Sequence, residues 1–201
     1  MSTQFIAMAA QAKRWSWRPS EKYGGGQFGF LIELPNDTIN YAGRLVTLED
    51  QSFWMNVSVS KGQMNRPAFQ RNLQKLQGIG QGGVPVVATS GRLVTSSTGN
   101  QSLKFQLSGL RLPDTLPAAI NRVVLDAEVE QLDDRWLLVS ESYRIPNPKD
   151  GQNPYGKRQV WVYLPHQMQL EQRQQVYVEG RLAARSPTGD RNLYVIAQFA
   201  A

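Results

Sequence analysis

Cysteine is absent from this 201-residue chain and histidine occurs once, as His166. Without thiols there is no disulfide, no thiolate nucleophile and no cysteine-based zinc site. A lone imidazole with no neighbouring nucleophile or orienting group gives no basis for acid–base or covalent catalysis. The acidic residues pair only as Glu49-Asp50 and Asp133-Asp134, which reads as solvated surface rather than a cation site. Two glycine-rich stretches, Gly24-Gly25-Gly26 and residues 78–83, lack the Lys-Ser/Thr step and following helix of a phosphate loop. No apolar run approaches the roughly 18 residues of a membrane-spanning helix. The mildly apolar residues 4–10 are followed, not preceded, by Lys13-Arg14, the wrong order for a secretory signal. These absences describe a cytoplasmic protein with no membrane association that is not an enzyme and needs no metal or cofactor.

Positive charge is in excess. The formal net charge is +6, and it is unevenly placed: residues 1–114 hold 12 Lys+Arg against 6 Asp+Glu, while residues 115–201 hold 10 of each. A polyanion would be drawn first to the N-terminal half.

A pattern also recurs. Gly91-Arg92-Leu93, Thr98-Gly99 and Leu103 are echoed by Gly180-Arg181-Leu182, Thr188-Gly189 and Leu193, each after an alternating stretch. Two similar β-units in tandem, each closing with a long hairpin, would produce it. Period-2 alternation predicts strands at 27–34, 39–47 and 52–60. Phe69, Leu73 and Leu76 fall on one helical face and predict a short helix over 66–77, stopped by the glycines after it. The first hairpin then occupies 84–95 and 101–110. Pro113 to Pro117 reads as a junction. Strands follow at 122–132, 135–143 and 157–164, then a connector at 166–172 and the second hairpin at 174–185 and 191–199.

Strand, strand, strand, helical connector, strand, strand is the order of an OB-fold. The expected architecture is all-β: two tandem OB-fold-like Greek-key barrels with one short helix in the first half. The expected division is a basic, aromatic N-terminal arm over 1–26, a first barrel over 27–112, a linker over 113–121 and a second barrel over 122–201. In strand order and paired hairpins the chain resembles OB-fold single-stranded nucleic-acid-binding proteins of bacteria and their mobile elements. That resemblance implies non-catalytic binding of single-stranded DNA.

The residues suited to such a ligand are flat side chains for bases and cations for phosphates. Lys13, Arg14, Trp15, Trp17 and Arg18 bring both together within one short segment; packing of both tryptophans into the barrel is the alternative. Trp54 alternates with Phe53 and Met55, and Trp161 and Tyr163 with Val160 and Val162, so all three are expected to face outward on middle strands. Arg66, Arg71 and Lys75 on the helix, Arg92 and Arg181 in the repeated motif, and Lys157 and Arg158 beside Tyr155 complete the candidate set. No residue pattern reads a 2′-hydroxyl, so DNA is not separated from RNA. The other use of the same aromatics is a protein interface, with a second copy or with a partner in a larger assembly.

Overall fold

The computed structural model describes residues 4–20, 24–33, 37–41, 44–48, 52–80, 82–95, 101–106, 110–116, 118–145, 148, 150–165, 168–184 and 193–201. His166 and both Thr-Gly steps of the repeated pattern lie outside them.

The first strand, β1 (Gln4–Ser20), changes phase midway. Ile6, Met8 and Ala12 are buried, but beyond them Trp15 and Trp17 are the residues packed on the core. Pairing with β2 (Gly25–Glu33) shifts register between Ala12 and Arg14, leaving Lys13 as the extra residue of a β-bulge. The bulge inverts the inside–outside alternation, so Arg14, Ser16 and Arg18 face out. Most of the expected N-terminal arm is therefore a strand of the sheet.

After β2, the strands β3 (Asp37–Tyr41) and β4 (Arg44–Leu48) pair only with each other. The single strand expected at 39–47 is thus a small separate hairpin. β5 (Ser52–Val59) alternates as its sequence requires, with Phe53, Met55, Val57 and Val59 buried. A single turn, α1 (Lys61–Met64), precedes α2 (Pro67–Ile79), whose proline at the first turn needs no N–H partner. α2 buries Phe69 and Leu76 and stops at Gly80, whose φ of 77° suits glycine. β6 (Val86–Thr95) and β7 (Gln101–Gln106) follow.

The order β1-β2-β5-β7-β6 returns to β1, with β5 and β7 parallel and the other pairs antiparallel. The second half repeats this circuit. β8 (Ile120–Asp133), β9 (Trp136–Arg144), β10 (Tyr155–Tyr163), β11 (Gln175–Ala184) and β12 (Leu193–Ala200) run β8-β9-β10-β12-β11 and close on β8, with β10 and β12 parallel. Each circuit is an OB-like Greek-key barrel. No helix occurs between β10 and β11 among the described residues.

Agreement between the barrels extends to detail. β8 also shifts register at one residue, Glu130, between Val129 and Gln131. Gly91-Arg92-Leu93 lies on β6 opposite Phe105, Lys104 and Leu103, and Gly180-Arg181-Leu182 on β11 opposite Ala197, Ile196 and Val195. A Cβ on Gly180 would stand 2.2 Å from the Ile196 carbonyl oxygen, so only glycine fits there.

The barrels share a sheet. Residues 4–9 of β1 pair antiparallel with residues 120–125 of β8, and β6 lies against β10. The expected linker is anchored at its start: Lys75 Nζ donates to the Leu112 carbonyl (2.6 Å) and to Asp114 Oδ1 (2.5 Å).

Candidate functional site

The outer face of β1, β2 and β5 is built in three cross-strand rows. They are Arg14–Leu31–Trp54, Ser16–Gly29–Asn56 and Arg18–Gln27–Ser58. Trp54 is 42% exposed although flanked by buried neighbours on its own strand. Its ring leans over Gly29: a Cβ there would stand 3.2 Å from Trp54 Cε3 and 2.9 Å from Ser16 Oγ. Gly29 is itself buried, so the indole rests on it as on a floor. Arg14 and Arg18 are exposed on β1, across β2 from the indole, and Lys13 pairs with Glu33 at 2.6 Å. Alternation sets Trp54 and Asn56 on an outward face and Arg14, Ser16 and Arg18 together on one face, whereas the part of Gly29 under the indole depends on cross-strand packing. The available signal was an isolated glycine between Phe28 and Phe30, which marks close approach within a strand.

The other two N-terminal tryptophans turn inward. The Trp15 indole N–H donates to the Gly80 carbonyl at 2.8 Å, fastening the end of α2. Trp17 packs on Phe28 and Phe69 with ring centroids 4.7 and 5.2 Å apart. Arg66, at the N-cap of α2, and Arg71 on it are exposed, whereas Lys75 is held by the linker. Arg92 is placed by its backbone on β6.

On the second barrel the corresponding row is Gln131–Leu138–Trp161. Trp161 and Tyr163 do face away from the barrel interior, as alternation requires, but Trp161 is half-buried and Tyr163 buried. Trp136, Tyr163, Ala183, Tyr194 and Ile196 form a separate buried cluster with Trp161 packed against it. Tyr163 is 1% exposed and presents no ring face to solvent. Trp136 meets Tyr163 and Tyr194 edge-on, with centroids 5.2 and 5.0 Å apart.

The cations there are largely engaged. Lys157 Nζ donates to Glu130 Oε1 (2.5 Å), which also accepts from Ser140 Oγ (2.5 Å). These bonds hold the Glu130 carboxyl below its ordinary range, the Lys157 bond contributing most; Lys157 is raised by the same bond. Arg158 lies 3.9 Å over the Tyr143 ring and 3.8 Å from Glu141, both partners on the inner side of the sheet. Arg181 is half-buried in a groove of about 340 Å³ shared with Ile196 and Phe199. No group of three or more acidic or histidine side chains could hold a metal ion among the described residues.

Two closed five-stranded circuits with a parallel β5–β7 or β10–β12 contact define a double OB-like protein. Solved structures share that arrangement over the whole chain. The wild-type single-stranded DNA-binding protein from Thermus aquaticus is similar at a TM-score of 0.59 and 12% identity, over 100% of this chain and 92% of that one. A deletion mutant of the same protein gives 0.62 and 12%, over 100% and 94%. Likeness at this identity establishes the fold alone. No family model and no curated protein matches the sequence.

Proposed function

We propose that this protein binds single-stranded DNA without catalysis, through the outer face of β1, β2 and β5. The observation that carries the reading is an exposed Trp54 on the same face as Arg14, at the other end of its row, and Arg18, two rows on. An indole stacks on any base, and arginines two strands away on the same face meet the phosphates beside it. The excess charge of the first half and the likeness to the Thermus aquaticus proteins support the same reading. Binding is then tolerant of sequence and steeply salt-dependent. RNA is bound by the same chemistry unless a 2′-hydroxyl is excluded.

Titration of intrinsic tryptophan fluorescence with oligo-dT, at low and high salt and against duplex of equal length, tests this. Saturable quenching that prefers the single strand and is lost with salt supports it. No response at low salt sinks it.

A protein interface is a second reading, and it has its own surface. Phe5, Val124, Glu179 and Phe199 form one row across β1, β8, β11 and β12. Phe5 and Phe199 are 44% and 55% exposed, and Tyr177 packs edge-on against Phe199 at 6.3 Å. Salt-insensitive self-association would favour this use of the sheet.

A further inference from the structure

The two barrels carry the same tryptophan on the same row, yet only one is exposed. Leu31 faces Trp54 and Leu138 faces Trp161, each one row on from the bulge at Lys13 or Glu130. The next outward row separates them. In the first barrel it is Gly29 and Asn56; in the second it is Trp136 and Tyr163, which are 3% and 1% exposed. Where the first barrel has a glycine under its indole, the second has aromatic rings, and Trp161 packs onto them.

Charge divides the same way. Beside Trp54 the row partner on β1 is Arg14; beside Trp161 the partner on β8 is the neutral Gln131. At the bulge the first barrel has Lys13 and the second has Glu130, which takes up Lys157. Glu128 stands next along β8, opposite Ser140. The most exposed ring on this face of β10, Tyr155, stands at its start opposite Arg144, away from the Leu138–Trp161 row. A polyanion gains less on such a surface, and an unstacked base finds only a half-buried indole.

Resting on the function proposed above, we infer that the chain has one primary stacking site for single-stranded nucleic acid, at Trp54, and that its twin Trp161 is structural. The barrels are alike in fold and unlike in use. The chain therefore takes up one short oligonucleotide tightly rather than two.

The test uses the whole protein. Native mass spectrometry with oligo-dT of about 10 nucleotides, within the range of site sizes for one OB-fold, gives the number bound per chain. Fluorescence titrations of Trp54→Phe and Trp161→Phe then identify the indole. The expected result is one equivalent per chain, affinity at least tenfold weaker for Trp54→Phe, and affinity within twofold of the parent for Trp161→Phe. Two tight equivalents, or equal losses in both variants, overturn the inference while leaving single-strand binding intact. Absence of binding by the parent protein overturns both. The stoichiometry is read on the unaltered chain, so a variant that folds poorly does not decide the matter.

Discussion

Trp54 and Gly29 stand on adjacent strands one row apart, and the indole leans into the space that a glycine side chain leaves open. A Cβ at Gly29 would come within 3.2 Å of Trp54 Cε3. That distance is tight for an ordinary carbon contact, so the ring must give by a few tenths of an ångström, and Ser16 Oγ, 2.9 Å from the same Cβ, must shift as well. Gly29→Ala is therefore expected to lower oligo-dT affinity by about 0.5–1 kcal/mol, a fraction of a full stacking contribution of roughly 1–3 kcal/mol. Stability should change by no more than about 0.5 kcal/mol, since alanine also reduces the entropy of the unfolded chain. Urea unfolding beside fluorescence titration checks both. Unchanged affinity would remove the floor from the account of the site.

Arg14 and Arg18 are exposed on β1, across β2 from the indole, Arg14 in its row and Arg18 two rows on. If each neutralises one phosphate, Arg14→Gln and Arg18→Gln should each reduce the slope of log K against log salt by about 0.7. Affinity measured across a sodium chloride series gives the slopes. Weaker binding with an unchanged slope would mean that these side chains meet bases or other protein groups instead.

The inward tryptophans make a contrasting prediction. Trp15→Phe removes the indole bond to the Gly80 carbonyl, which keeps only the Gly83 N–H at 3.2 Å. A loss of about 0.5–1.5 kcal/mol in unfolding free energy is expected, with oligo-dT affinity unaltered. A binding defect with intact stability would return Trp15 to the interface.

Glu130 and Lys157 set a pH window. The Glu130 carboxyl is depressed below 4.5, so its share of stability is complete above that value and is lost as pH falls through its folded pKa. Lys157 is raised above 10.5, so its share is complete below that value and is lost as pH rises through its folded pKa. The pair thus contributes a plateau between these limits, worth about 0–1 kcal/mol for so exposed a contact. Glu130→Gln should narrow its stability deficit as pH drops below the carboxylate range. Urea unfolding of both proteins across acid pH measures that convergence; a constant deficit would assign the cost to the Ser140 bond or to packing.

Much of the barrel architecture can be read from alternation. The runs around Phe53–Val59 and Val160–Val162 announce their strands, and Phe69, Leu73 and Leu76 announce the helix between them. β1 hides because its alternation breaks at Lys13: uniform period-2 reading from Ile6 and Met8 would turn Arg14 inward and Trp15 outward. Its true phase depends on how β2 pairs, which is not local information. The same limit applies at the site. Alternation correctly turns Trp54, Trp161 and Tyr163 away from the barrel interiors. Only tertiary packing separates the exposed indole from the half-buried one, through Trp136 and Tyr194, which lie far from Trp161 in the chain or on another strand.

The pairing of β1 with β8 has a cost that falls during synthesis. Gln4 finds its partner only when Leu125 has been made, so the opening strand of the chain must wait with an unmatched edge while the whole first barrel is translated. Contacts of such long sequence separation form slowly, and a bare edge is a template for other strands. A ribosome-bound fragment ending before β8 should accordingly be more prone to chaperone capture than the finished chain, whatever the finished chain binds.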